Sequence, residues 1–425
     1  MKLQGHFGYR RSLQYCFAPI LMMIFTSIYG IVDGFFISNW AGSTAFAAVN
    51  LIMPFTFVLG SLGLMFGSGG CALVAKTLGE GEEKRANQYF SMILLVSALS
   101  SLILGVIGII FMKDIALLLG ADASMLKDSV EYGRTILIFN IMYSTQFFFQ
   151  PFFSAAGKPG LGFFITVAAG IANMILDWLF VAVFGWGTPG AAIATGIGQT
   201  IGSLIPLIYF ASSKNTSILH LQWAKIQPRI IFMAASNGFS ELMSNISQSI
   251  VGILYNLQLI RYFGANGVAA YGVLMYVGMI FIAVFFGYTM GVSPIISFNY
   301  GAGNKKELRS LLKKSLIINI VMGLIMCISA YGLSDVLSNI FVGYDKELHD
   351  LTVYAFYIFA LLFLGAGINI FTSAFFTALN NGLVSALISF MRSLVLQAVF
   401  VFLLPVLLGP DGIWCVSGNA WGGGL

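Results

Sequence analysis

Charge is the scarcest property of this 425-residue chain. Only 9% of its residues are charged, while 58% are hydrophobic. A soluble domain carries about 25% charged residues. With so few, a chain of this size in water would expose apolar patches and aggregate. Its solvent is therefore lipid, which excludes a water-soluble enzyme, a nucleic-acid binder and a secreted disulfide scaffold. Histidine is also rare: His6, His220 and His349 all fall in loops or tails, so no His-based metal site is expected. The four cysteines, Cys16, Cys71, Cys327 and Cys415, form no C-x-x-C pair. Three lie in apolar runs and read as small packing residues. No cleavable signal pattern is present, because the first apolar run contains Asp33 and is too long for one.

Long apolar runs are abundant. Runs of spanning length begin near Leu13, Ala45, Tyr89, Glu131, Gly162, Gly190, Arg229, Gly267, Ser315, Leu351 and Leu383, which predicts eleven membrane spans. Assigning the N-terminal tail and alternate loops to one side puts 15 of the 21 basic residues there. Basic residues mark the cytoplasmic side, so the N-terminus is expected inside. The net charge of +5 is this asymmetry and needs no nucleic-acid partner.

Shifted by 222 residues, the sequence resembles itself. Gly42, Ala47, Ala48, Met53, Gly69, Gly79, Gly81 and Lys84 fall on Gly264, Ala269, Ala270, Met275, Gly291, Gly301, Gly303 and Lys306 without a gap. Six spans per repeat is an even number, so both halves enter the membrane in the same orientation. The expected fold is an all-α polytopic membrane protein: two six-helix lobes related by a pseudo-two-fold along the membrane normal, with a site at their interface. The expected divisions are an N-terminal lobe at 1–211, an inter-lobe linker at 212–228 and a C-terminal lobe at 229–425.

Most acidic residues fall in loops. Asp33, Asp177 and Glu241 remain inside spans, where a charge costs at least ~2.5 kcal/mol on the insertion scale. Such a residue is normally turned inward, and burial lets a carboxyl hold and release a proton. Tyr29 lies one turn before Asp33, and Asn173 one turn before Asp177. The next span brings Thr195. Carboxylate, amide and hydroxyl oxygens suit a proton or Na+; a structural network between helices is the alternative. Glu241 sits one third into the seventh span with no second carboxylate in its lobe. Arg392, inside the eleventh span, is expected to pair with a polar group of the C-terminal lobe.

These segments resemble MATE transporters (multidrug and toxic compound extrusion). The resemblance rests on Asp33-Gly34-Phe35-Phe36-Ile37 with Gly42 and Ala47-Ala48-Val49, and on Leu78-Gly79-Glu80-Gly81. It rests further on Ala155-Ala156-Gly157-Lys158-Pro159, and on Asn173 to Asp177 followed by Gly190-Ala191-Ala192-Ile193-Ala194-Thr195. It covers nearly the whole chain. It implies a V-shaped cavity with alternating access, and antiport of H+ or Na+ against amphiphilic, mostly cationic drugs, without any cofactor. Carried over by position, the cation-coupling set is Asp33, Asn173, Asp177 and Thr195 with Tyr29 beside it, a place where Na+ could bind. Gln150 would line the same cavity. The implied drug cavity draws on Phe147, Phe148, Phe149, Phe152, Phe153, Met275, Tyr276 and Met279, since aromatics stack on flat cations and Met adapts its shape. Glu241 and Gln248 are further cavity candidates.

The sequence departs from the NorM-like branch of that family. Gln248 stands at the span-seven glutamate position and Asn369 near the span-ten aspartate, so the C-lobe ion site looks absent. After Gly409-Pro410-Asp411-Gly412-Ile413-Trp414 the tail is too short and glycine-rich for a twelfth span, which is expected to be missing. Competing readings are a lipid-linked oligosaccharide flippase, which would need several basic residues in its cavity, an organic-acid exporter, and a truncated inactive transporter. The chain is expected to act as a monomer in a bacterial plasma membrane, surrounded by lipid, on small organic cations.

Overall fold

In lipid every backbone polar group must be satisfied within the chain, so spanning segments become helices. The computed structural model describes residues 3–416, and no strand occurs among them. The first half carries α1 (Tyr9–Phe36), α2 (Ser43–Gly79), α3 (Glu83–Ile110), α4 (Met112–Leu118), α5 (Leu126–Ile138), α6 (Asn140–Ala155), α7 (Pro159–Asp177) and α8 (Gly187–Ala211). The second carries α9 (Pro228–Gly301), α10 (Lys305–Val342), α11 (Lys346–Phe359), α12 (Leu362–Ala378), α13 (Gly382–Phe390) and α14 (Gln397–Leu408). Eight helices are long and apolar enough to cross a membrane, or nine when the bent pair α11–α12 counts as one span. α9 is broken at Gly264, whose φ of 62° and ψ of −149° are non-helical. Two of the eleven expected spans fall outside this count: α5–α6, interrupted at Phe139, and the first half of α9. Both are rich in polar side chains, among them Gln146, Gln150, Asn237, Glu241 and Gln248. Large apolar side chains such as Phe164, Ile208, Phe232, Ile328 and Val406 stay exposed on the outer faces, where lipid is their partner. The expected loss of a twelfth span concerns residues 417–425, which lie outside the described residues.

The repeated glycines have a steric reason. A Cβ on Gly79 would strike the carbonyl of Phe298, and one on Gly301 the carbonyl of Lys76. The 222-residue shift carries Gly79 onto Gly301 and Lys76 onto Phe298, so the two contacts are one contact seen from both sides of a pseudo-two-fold axis. A second pair obeys the same rule. A Cβ on Gly69 would strike Gly238, and one on Gly291 would meet Cys16, and Cys16 shifts onto Gly238. Gly42 and Gly264 share positive φ values of 95° and 62°, which a residue without Cβ adopts cheaply. The two lobes thus cross tightly where α2 meets α9.

The N-terminal residues reinforce that end. The Phe7 amide donates to Glu307 Oε1 at 2.9 Å, and His6 Nδ1 lies 2.8 Å from Glu307 Oε2. Lys314 Nζ donates to the Phe7 carbonyl at 2.8 Å. This straps the start of α1, a first-lobe helix, onto α10 of the second lobe. The connection through residues 212–227 runs along α3, where Asn87 accepts from the His220 amide at 2.8 Å and Ser91 from the Gln222 amide at 2.9 Å.

Candidate ion pocket and substrate cavity

Asp33 lies in the last turn of α1 and Asp177 is the last residue of α7. A π-helical stretch follows each: Ile37–Ala41 after α1 and Trp178–Val183 directly after Asp177. Such wide turns are rare and recur at functional sites. The two aspartates are 6% and 0% exposed, and their carboxyl groups face each other within hydrogen-bonding reach. Thr195, from α8, donates to Asp33 Oδ1 at 3.4 Å, and Asn173 donates to the Thr195 hydroxyl at 3.4 Å. Both bonds are long for their types. Asn173 Oδ1 and both Asp177 oxygens are buried without a well-formed hydrogen bond among the described residues, although the Asn173 side chain stands close to Asp177. Buried acceptors without donors call for an explanation. Two facing carboxyl groups are both acceptors, so they attract only when a proton or a cation stands between them. The donor set is all oxygen, as hard cations take.

Tyr29 sits beside this pocket. Its ring lies against Gly170 of α7, and Gln146 of α6 is within hydrogen-bonding reach of its hydroxyl. All five residues expected at the coupling site are therefore gathered in one place. Gln146, buried and reaching Tyr29, was not expected there from the sequence. A signal for Gln146 existed: it lies four residues before Gln150, on one helix face.

Between the lobes lies a cavity of about 770 Å³, within the ~300–1,000 Å³ range of small-molecule sites. It reaches along α2 from Ala72, near the crossing, to Phe57. Gln150, Glu241, Gln248, Met275, Tyr276 and Met279 all line it. Met275, Tyr276 and Met279 are 43%, 38% and 45% exposed, although large and apolar. Asp33 and Asp177 are not among the lining residues, so the ion pocket is set apart within the first lobe. Tyr143, seated against Gly60 of α2, also lines the cavity and was missed in the sequence.

Phe149 and Phe153 do not line the cavity, and neither do Phe148 and Phe152. All four are buried in the core of the first lobe. Phe149 stacks on Phe210 with centroids 5.6 Å apart, and Phe148 stacks on Phe152 at 4.6 Å. The reason is helical period. Tyr143, Phe147 and Gln150 share the cavity face of α6, while Phe149 and Phe153, one turn apart, project toward α3 and α8. Of the five phenylalanines only Phe147 lines the cavity.

The second lobe differs at the matching place. The 222-residue shift carries Asp33 onto Tyr255, which lines the cavity and stacks on Tyr271 at 4.9 Å. An aromatic pair thus stands where the first lobe has a carboxylate. Asn369 is buried and not among the lining residues. Arg392 lies in a third π-helical stretch, Met391–Leu396, buried behind the wall.

An all-helical membrane fold with two lobes, a central cavity and a buried oxygen cluster in one lobe is the architecture of a polytopic small-molecule transporter. The comparisons make this specific. The MatE family model matches residues 19–179 and 242–403, and the chain belongs to that family. Multidrug export protein MepA of Staphylococcus saprophyticus subsp. saprophyticus is 25% identical over 398 residues, covering 93% of this chain and 85% of that protein. MepA of Staphylococcus aureus (strain NCTC 8325) is 22% identical over 406 residues, covering 95% and 89%. Among solved structures, a MATE in complex with MaL6 aligns with a TM-score of 0.92 at 20% identity, covering 99% of this chain and 95% of that one. An outward-facing multidrug resistance MATE transporter of the MOP superfamily aligns with a TM-score of 0.90 at 21% identity, covering 99% and 94%.

Proposed function

We propose that this chain exports amphiphilic organic cations from a bacterial cell, exchanging them for H+ or Na+ by alternating access. The observation that carries the coupling is the set of buried acceptors, Asn173 Oδ1 and both Asp177 oxygens, facing the Asp33 carboxyl. A proton or Na+ entering there relieves the repulsion between two carboxylates and gives those oxygens a partner. A ligand shifts two facing states only by its differential affinity for them. The ion therefore binds the form open to the outside more tightly and weakens drug binding there. Gly30 has no atom within 4 Å of an added Cβ, and at Gly34 the nearest neighbour is 3.6 Å away. Neither glycine is required by close packing, which fits a part in bending α1 around Asp33.

The N-terminus would face the cytoplasm of a plasma-membrane protein, given the basic loops at the end where the lobes cross. The flippase reading is disfavoured, because among the described residues no Lys or Arg lines the cavity to hold a phosphate. The test is ethidium transport into or out of proteoliposomes with H+ and Na+ gradients imposed separately. One gradient should drive transport, and Asp33→Asn and Asp177→Asn should each abolish that drive while the proteins stay monodisperse. Full ion-driven transport by either variant would refute the coupling role.

A further inference from the structure

The outer face of the first lobe carries a trough of about 300 Å³, separate from the central cavity. α3 and α8 each pack on α6. α6 supplies the floor through Met142 and Thr145, while Leu94, Leu95 and Ala98 of α3 and Leu207 of α8 form the walls. Leu95 and Leu204 on the rim are 47% and 38% exposed, so the trough opens toward the surrounding lipid. The serine hydroxyls in its walls are already engaged. Ser91 donates to the Asn87 carbonyl at 2.9 Å, and Ser203 to the Thr200 carbonyl at 3.1 Å. A polar occupant would lose its water partners there, so hydrocarbon is the filling that fits. The repeat alone does not produce this trough. The 222-residue shift carries Ser91 onto Lys313 and Ala98 onto Ile320, so the small side chains that open it are long or bulky in the second lobe.

The connection between the lobes runs past the end of the trough nearest the lobe crossing. Leu221 lines it, and the Leu221 amide donates to the Phe210 carbonyl in the last turn of α8 at 2.9 Å. Gln222 Nε2 donates to the Lys84 carbonyl at 2.7 Å, and the Gln222 amide to the Ser91 hydroxyl at 2.9 Å. Lys84, Ser91, Leu95 and Ala98 share one face of α3. At a rise of 1.5 Å per residue, the trough begins about 10 Å below Lys84 and ends about 20 Å below it. Half of a hydrocarbon core is about 15 Å thick, so the trough lies at acyl-chain depth when Lys84 stands among the headgroups. Lys84, Lys225 and Arg229 are all exposed at this end. Trp223 beside them is 92% exposed, and tryptophan is at home at headgroup level. No Asp or Glu occurs from residue 178 to residue 240, while Lys214, Lys225 and Arg229 do. The acids nearest Lys84 in sequence are Glu80, Glu82 and Glu83, and Lys76 pairs with Glu80 at 3.7 Å. Anionic headgroups gather at basic segments of this kind.

We propose that this trough binds one phospholipid with an anionic headgroup. One acyl chain lies between α3 and α8, and the phosphate is held by Lys84 and Lys225 beside Trp223. The walls supply affinity for the chain, and the lysines supply the preference for negative charge. Because Leu221 and Gln222 border the trough, the lipid also fastens the inter-lobe connection to the first lobe. α9 begins at Pro228, six residues beyond Gln222, so the anchorage stands where the chain passes from one lobe to the other.

The test uses full-length protein stripped of lipid in detergent. It is offered dioleoylphosphatidylglycerol or dioleoylphosphatidylcholine, and native mass spectrometry counts the lipid that stays bound. Wild type should retain one phosphatidylglycerol, held about tenfold more tightly than phosphatidylcholine. Ala98→Phe fills the trough and should lose both lipids. Leu95→Trp fills it from the exposed rim and takes over this arm if Ala98→Phe does not fold. Lys84→Gln combined with Lys225→Gln should lower phosphatidylglycerol to the level of phosphatidylcholine and leave phosphatidylcholine unchanged. In hydrogen exchange, phosphatidylglycerol should slow the amides of Leu221 and Gln222 in wild type and not in the filled variant. No retained lipid in wild type, or wild-type retention by the folded filled variant, overturns the trough as a lipid site. Equal binding of the two lipids by wild type, or a preference that survives loss of both lysines, overturns the anionic assignment. Exchange that phosphatidylglycerol leaves unchanged in wild type overturns the anchorage of the connection.

Discussion

Gly301→Ala perturbs one point of the lobe crossing. The added methyl has no room, because its nearest neighbour is the Lys76 carbonyl on α2, a backbone atom that cannot rotate away. The two helices must separate locally. Overpacking of this kind costs about 1–3 kcal/mol. The cost falls only on the form in which α2 and α9 cross tightly, so at ~1.4 kcal/mol per factor of ten the balance of the two facing states moves by roughly 5- to 150-fold. The pseudo-two-fold makes a stronger demand: Gly79→Ala meets the Phe298 carbonyl in the same way and should shift the balance by a similar amount. Spin labels at the exposed Glu82 and Lys305, one on each lobe at this end, report the change as a distance distribution. Both variants should gain a longer-distance population. If either keeps the wild-type distribution, or the two move in opposite directions, the reciprocal crossing does not govern closure.

Phe149→Ala and Phe147→Ala should part company. In lipid the transfer contribution largely drops out, and a phenyl-sized void at ~24 cal/mol per Å³ costs roughly 2 kcal/mol. Phe149→Ala should therefore lower the melting temperature in nanodiscs with unchanged substrate affinity per folded molecule, and Phe147→Ala should do the reverse. Glu307→Ala removes the acceptor of the Phe7 amide and should cost about 1–3 kcal/mol. The same label pair should show the crossing end opening, and a wild-type distribution would show that the strap is idle.

Much of this protein was legible in the sequence. Scarcity of charge announced lipid as solvent, and spacing isolated Asp33 and Asp177 with their polar neighbours Tyr29, Asn173 and Thr195. Those residues lie on three different helices, yet a buried carboxylate has few places to go, and each pointed to the same pocket. The 222-residue repeat carried the pseudo-symmetry, because glycines at a helix crossing are fixed by contact on both sides.

Other features were decided by tertiary structure. A run of five phenylalanines broken by Gln150 and Pro151 states composition but not direction. Only the packing of α6 between α3, α8 and the cavity sends Phe149 and Phe153 inward and leaves Phe147 on the wall. Gln146 reaches Tyr29, and Thr195 reaches Asp33, across distances in sequence that no local spacing encodes. The sequence by itself determined the solvent, the repeat and the carboxylates worth watching, since each is a matter of composition or local period. Which of those charges share a pocket and which face the open cavity was settled by helices meeting from opposite ends of the chain, because only contact brings their fields together.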